Sequence, residues 1–300
     1  MKFCLRHYTR YEYAEPVQCS RNQTRMLLRR DLPGQVTEQR VVRIQPRPCY
    51  GKMQLDYFGN RVLYFEIDRP HTEFRILLRH TLTRRSATLP APGDSPPWET
   101  VAAQLANGGS EELNRLKLFT LPSRLAPVSA DLRALAAPLF TPGTPLLAGV
   151  SALNEHIYKS FRFKPLVTSV TTPVAEVLAK RQGVCQDFAQ VMIASLRSLG
   201  LAARYVSGYL ETLPPPGKPR LVGVDASHAW VSVWCPVNGW QDFDPTNNLR
   251  PGDQHITSAW GRDYDDVIPL NGVIEGGGES STLKVAVDVM RLPESDGDTA

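Results

Sequence analysis

The sequence contains no Cys-x-x-Cys pair: its five cysteines, Cys4, Cys19, Cys49, Cys185 and Cys235, are scattered singly. That scatter argues against a zinc site, and an odd number of separated thiols reads as reduced cysteines in a cytosol. No metal or other cofactor is expected. Long apolar runs are missing as well. Nothing approaches the ~18 residues of a bilayer span, and the opening MKFCLRHYTRYEY lacks the apolar core of a signal peptide. The expectation is a cytoplasmic protein with no membrane partner. Excess charge is scarce: the formal net charge is +4, and Arg84-Arg85 is too short a basic cluster to hold a nucleic acid. Internal repeats are absent, and oligomeric state is not readable.

What is present is an ordinary globular composition, 42% hydrophobic and 21% charged over 300 residues, enough for two domains with their own cores. Residues 1–88 alternate apolar and polar side chains in FCLRHYTRYEY, QVTEQRVVRIQP, RVLYFEID and EFRILLRHTLTRR, with turn signals at Leu32-Pro33-Gly34, Pro46-Arg47-Pro48 and Phe58-Gly59-Asn60. A small antiparallel β-sandwich is expected there. Residues 89–144 form a Pro-rich connector followed by helices, with Ser129 as an N-cap. Residues 145–275 read as helices followed by strands, the α+β pattern of a helix packed on an antiparallel sheet. The last segment, 276–300, begins with a Gly run. Its alternating Leu283, Val285, Val287 and Val289 form a strand able to return to the N-terminal sheet, followed by a tail.

The chemistry is concentrated in three stretches. In RQGVCQDFAQVMIASLRSLG, Phe188 to Ala194 is apolar except for Gln190, and Gly200 stops the helix. Cys185 therefore stands at a helix N-terminus, where free N–H groups and the helix dipole favour an anion and lower a thiol's pKa. Gly183 removes bulk from the approach. The competing reading is a buried, inert cysteine. In the strand SHAWVSVWC, His228, Trp230, Ser232 and Trp234 share one face, with the two indoles as candidate pocket wall.

The next strand, GWQDFDPT, supplies Asp242 and Asp244. With Val237-Asn238-Gly239 as the loop, both carboxylates fall on the His228 face and Asp244 lies opposite Ser232. That leaves Asp244 roughly 13 Å from the histidine at about 3.3 Å per residue, a gap only a bulge or bend would close. A two-residue Asn238-Gly239 turn would put the pair on opposite faces. Distance favours Asp244 over Asp242, and spacing alone does not settle the choice. A thiol, an imidazole and a carboxylate in sequence make a nucleophile, its base and the group that orients the base. The Cys185 N–H and Gln182 are the candidate oxyanion donors.

Taken together, Gly183-Val184-Cys185-Gln186-Asp187-Phe188-Ala189, Arg204-Tyr205-Val206-Ser207-Gly208-Tyr209, Asp225-Ala226-Ser227-His228-Ala229-Trp230 and Gly239-Trp240 with Phe243-Asp244-Pro245-Thr246 resemble the transglutaminase-like superfamily of papain-like cysteine enzymes. Tyr13, Pro16-Val17, Ser20 and Asp56-Tyr57-Phe58-Gly59-Asn60 resemble the β-rich domain that precedes this core in bacterial members. The resemblance implies a papain-like core with Cys185 as nucleophile, His228 as base and Asp244 as its orienter, acting on a peptide or protein substrate. Hydrolysis of an amide through a thioester is the first expectation, acyl transfer to an amine the second, and an inactive binding module the third. No EF-hand-like acidic loop is present. Asp187 is expected to serve the helix start and Asp225 a turn, while LPPPGKPRLVG lies where it could shape the cleft. The other five histidines are expected to have no carboxylate or cysteine around them.

Overall fold

A computed structural model describes residues 1–86, 88–211 and 227–293. Its strands are β1 (Lys2–Leu27), β2 (Gln35–Gln45), β3 (Tyr50–Leu55), β4 (Arg61–Ile67), β5 (His71–Arg84), β6 (Arg162–Phe163), β7 (Gln182–Gly183), β8 (Ala203–Leu210), β9 (Ser227–Cys235), β10 (Gly239–Phe243), β11 (His255–Gly261), β12 (Leu270–Gly276) and β13 (Ser281–Leu292). Its helices are α1 (Trp98–Asn107), α2 (Glu111–Lys117), α3 (Ala130–Ala136), α4 (Leu146–Ser160), α5 (Val174–Lys180) and α6 (Cys185–Arg197).

The N-terminal strands do not form two separate sheets. With β12 and β13 they make one antiparallel sheet of seven strands, organised on the 26-residue β1. β4 then β5 run along one flank of β1, and β12 then β13 along the other. β3 and β2 continue outward from β4 and β5. Each ribbon is interrupted at the same level: at Pro46 and Pro48, at Pro70, at the irregular register of β1 between Glu12 and Val17, and at Gly276 to Gly278. Proline supplies no ladder donor, and those three glycines take positive φ, so the sheet bends along this line. The halves close on each other around Met26, Phe65, Ile67, Phe74 and Ile76, with the Phe65 and Phe74 rings 5.8 Å apart. The expected sandwich is thus a single sheet folded over, because β1 is long enough to serve both layers.

A second antiparallel sheet has the order β10-β9-β8-β11. Ala189, Val191, Ile193 and Leu196 of α6 belong to the same hydrophobic cluster as Ala229, Val231, Val233 and Cys235 of β9. Helices α1 to α5 join that cluster through Val101, Leu116, Leu132, Leu153 and Val177, so the segment after the connector belongs to this core. The Ser110 and Ser129 hydroxyls accept from Leu113 N–H and Leu132 N–H, which starts α2 and α3. Gly200, at φ 80°, and the Leu201 N–H bonded to Leu196 C=O end α6.

The N-terminal sheet covers the other side of this second sheet. Phe3, Leu5, Leu82, Val287 and Val289 meet Tyr209 and Ile256 in a shared cluster. The edge strand β11 is closed by side chains that imitate a neighbouring strand. Gln35 Nε2 donates to Thr257 C=O and Gln35 Oε1 accepts Thr257 N–H, both at 2.8 Å. Asn60 does the same for Trp260, at 2.8 and 2.9 Å. Arg29, stacked 3.4 Å over the Trp260 ring, braces the Asn60 amide through a 2.6 Å bond. An otherwise open edge is satisfied without a further strand. Among the described residues, no helix is long and apolar enough to cross a membrane.

Candidate active site

Cys185 is the first residue of α6, half-buried at the helix mouth. The entry is held by Asp187, whose Oδ2 accepts the Val184 N–H and the Thr168 hydroxyl, each at 2.7 Å. An acidic side chain reaching back to the N-cap amide satisfies one of the donors a helix start leaves open. Burial pushes the Asp187 carboxyl up, and the bonds from Thr168 and Val184 oppose that rise. Gly183 is required by close approach: a Cβ there would stand 2.6 Å from Asp187 Oδ2. Just upstream, β7 pairs in parallel with β6 and fixes the direction from which the chain enters α6. Gln182, on β7, is half-buried and lines a cavity with Val167, Thr168 and Val177.

His228 stands near the start of β9, its side chain 9% exposed. The ring interacts with Cys185 and Asp244, and the Asn247 amide lies 3.4 Å from its Nε2. Nε2 lies 2.7 Å from Asp244 Oδ2. The structure therefore brings Cys185, His228 and Asp244 together. Burial works against a charge on the ring, but the Asp244 carboxylate and the Cys185 sulfur outweigh it and lift His228 to about 10.

Asp244 needs no bulge to reach the histidine. Gly239, at φ 66°, pairs with Cys235, so the loop is Pro236-Val237-Asn238 and the register differs by two residues from the one expected. Asp242 then faces Ser232, and the ladder continued by one more pair sets Asp244 opposite Trp230, diagonal to His228. The face is unchanged because the shift is even. Fully buried, Asp244 accepts five hydrogen bonds: from Thr246 N–H and Asn247 N–H on Oδ1, and from His228, His255 and the Asn247 amide on Oδ2. Burial would raise its carboxyl, but His228, His255 and Asn247 hold it well below the usual range. Asp242 instead accepts the Trp230 indole N–H at 3.1 Å.

Two expectations are corrected here. Trp230 and Trp234 do not wall an open pocket. Trp230 is fully buried, its ring edge-on to His255 with centroids 5.2 Å apart, and Trp234 belongs to the hydrophobic cluster around α6. The face of β9 that strand alternation left open is covered, with Arg84 reaching the His255 carbonyl from β5. Secondly, one of the other five histidines does have a carboxylate partner: His255 Nε2 lies 3.2 Å from Asp244 Oδ2. No local signal marks it, since it opens β11 on the far side of β8 from β9. Ligand atoms of His228, Asp244 and His255 lie within 4.8 Å of one another, the one such three-residue group among the described residues. Both imidazole Nε2 atoms address one carboxylate oxygen, the geometry of a hydrogen-bonded cluster. Asp225 and LPPPGKPRLVG lie outside the described residues.

Residues 133–245 match the model of the transglutaminase-like superfamily, and residues 3–82 match that of the bacterial transglutaminase-like N-terminal region. An uncharacterized protein of Mycobacterium tuberculosis is 38% identical over 305 residues, covering 96% of this chain and 92% of that relative. A second uncharacterized relative, from Mycobacterium leprae, is 31% identical over 289 residues, with 95% and 97% covered. A protein-glutamine gamma-glutamyltransferase of Pseudomonas aeruginosa is 35% identical over 107 residues, which are 35% of this chain and 16% of that protein. The solved structure of a candidate cysteine protease from Cytophaga hutchinsonii shares the fold, with a TM-score of 0.73 at 22% identity over 98% of this chain and 92% of its own. The chain belongs to the transglutaminase-like superfamily and carries the bacterial transglutaminase-like N-terminal domain.

Proposed function

We propose that the protein is a cysteine-dependent amidase or peptidase with a Cys185–His228–Asp244 triad in a papain-like core. The observation that carries this reading is the His228 ring, which meets the Cys185 sulfur on one side and the buried Asp244 carboxylate on the other. The imidazole takes the thiol proton, and the sulfur attacks the substrate carbonyl. The Cys185 N–H, one of the first-turn amides that the helix leaves without a partner, faces the developing oxyanion, and Gln182 is the candidate second donor. His228 then protonates the leaving amine, giving a thioester and a free amine. Water, deprotonated by the same ring, attacks the thioester, and its collapse releases the acid and returns the thiol. Asp244 holds the ring in place throughout and stabilises the imidazolium.

Transfer of the acyl group to a primary amine is the second reading, supported by the similarity to the Pseudomonas aeruginosa transferase over 107 residues. Incubation with a glutamine-containing peptide and a primary amine separates the two. The expected product is the glutamate peptide with ammonia, and a dominant amine adduct overturns the ranking. An inactive module is separated by thiol labelling. Cys185 is expected to react with iodoacetamide near neutral pH far faster than Cys4, Cys19, Cys49 or Cys235, and His228→Ala to abolish the difference. Uniform labelling of the thiols counts against an enzyme.

A further inference from the structure

Asp244 receives one hydrogen bond from a strand that contributes neither nucleophile nor base. His255, the first residue of β11, is 1% exposed. Its main chain is anchored twice, the carbonyl by Arg84 Nε at 3.0 Å and the N–H by Gly252 C=O at 3.3 Å. The ring stands edge-on to Trp230 at an interplanar angle of 84°. From there Nε2 reaches the same Oδ2 that His228 engages. An ionised carboxylate only accepts, so Nε2 of His255 carries the hydrogen. Nδ1 is then buried with no partner within hydrogen-bonding distance. Burying a polar atom unpaired is unfavourable, and an apolar side chain would fill this space without that penalty.

We propose that His255 is a positioning residue, whose Nε2–H holds the Asp244 carboxylate in the orientation that accepts from His228. The inference rests on the triad reading above, and the N-terminal domain takes part in it through Arg84. The titratable groups that meet the His228 ring are Cys185 from α6, Asp244 after β10 and, ring to ring at 5.9 Å, His255 from β11. Without His255 the carboxylate keeps its bonds from Thr246, Asn247 and His228 but loses the second imidazole donor on Oδ2, which loosens its alignment with His228 while leaving the base, the nucleophile and their backbone untouched.

The test is NMR titration of the histidine rings in the full chain, with His228 assigned by loss of its signal in His228→Ala, alongside iodoacetamide labelling of Cys185. In the unsubstituted chain the His228 ring is expected to titrate at about 10. His255→Leu lowers that midpoint by at least about one unit and slows Cys185 labelling at pH 7 by about tenfold. His255→Gln, whose amide keeps a donor, restores most of both. Should His255→Leu not fold by circular dichroism, His255→Asn, whose shorter amide stops short of Asp244, takes its place with the same expectation. A folded variant lacking the donor, with unchanged midpoint and labelling rate, overturns the positioning role. A His228 ring titrating near 6.5 in the unsubstituted chain overturns the triad reading itself.

Discussion

Gln35 and Thr257 are joined by a two-way pairing in which the side-chain amide of one serves the backbone N–H and C=O of the other, both bonds at 2.8 Å. Gln35 and Thr257 are each 2% exposed, so water does not replace the amide readily. Gln35→Leu keeps the bulk and strands two backbone groups on the edge of β11. At about 1–3 kcal/mol for each of the two orphaned buried groups, the expected loss is about 2–6 kcal/mol. Urea unfolding measures it, and a loss below about 0.5 kcal/mol would show that the edge is solvated after all.

Asp244→Asn preserves shape and removes the charge that supports the imidazolium. The His228 ring, lifted to about 10 against the effect of burial, loses its largest source of lift. Iodoacetamide labelling of Cys185 at pH 7 is expected to slow by about 10²-fold, as the general-base contribution scales. Asp242→Asn keeps an oxygen to accept the Trp230 indole and removes a charge that faces Arg84, Arg204 and Arg250 rather than His228, and should leave the labelling rate within about twofold.

Gly183→Ala acts on the nucleophile at a distance. The new Cβ falls 2.6 Å from Asp187 Oδ2 and 2.8 Å from its Cβ, so the Asp187 carboxylate must release Val184, Thr168 or both. Loss of a helix cap costs about 1 kcal/mol and lets the first turn fray. The expected signature is slower Cys185 labelling together with hydrogen exchange that rises in the first turn of α6 and not in its last.

Acid should destabilise the protein through two buried histidines of the N-terminal domain. Burial lowers His7 to about 4, and burial with the charges of Arg40 and Arg61 lowers His80 to about 4. Both folded values lie below the unfolded 6.5, so the unfolded chain takes up protons first as pH falls. Their contribution is complete above pH 6.5 and is lost towards pH 4, at about 1.4 kcal/mol per unit for each ring. Neither His80 nitrogen has a hydrogen-bond partner, so His80→Leu should leave stability at pH 7 unchanged or higher and make the acid limb shallower. Urea unfolding at pH 5 and pH 7 checks both.

Much of the candidate site was legible because its signals are local. The apolar run after Cys185 marked the helix, and alternation in SHAWVSVWC put His228 on a definite face of its strand. Parity along GWQDFDPT placed both carboxylates on one face of their strand, yet whether that was the His228 face, and how far each lay from the ring, depended on which residues formed the loop. Gly239 was expected in the turn and stands in the ladder, which moves Asp244 two residues closer to His228 along β9. The glycine's positive φ serves either arrangement equally, so sequence could not choose between them.

By itself, then, the chain's periodicity determined many of the strands, though not β3, β11 or β12, and which helix carries the thiol, since side-chain period depends only on local backbone geometry. The tertiary structure alone decided the folding of one sheet over itself, the burial of Trp230 on a face that alternation left open, and the arrival of His255 at Asp244. Those depend on contacts between residues far apart in the chain, as when Arg84 of β5 holds the backbone of His255 across 171 positions. No local pattern records such a meeting, because packing between layers is set by shape and leftover hydrogen-bonding groups that become defined only once both layers have formed.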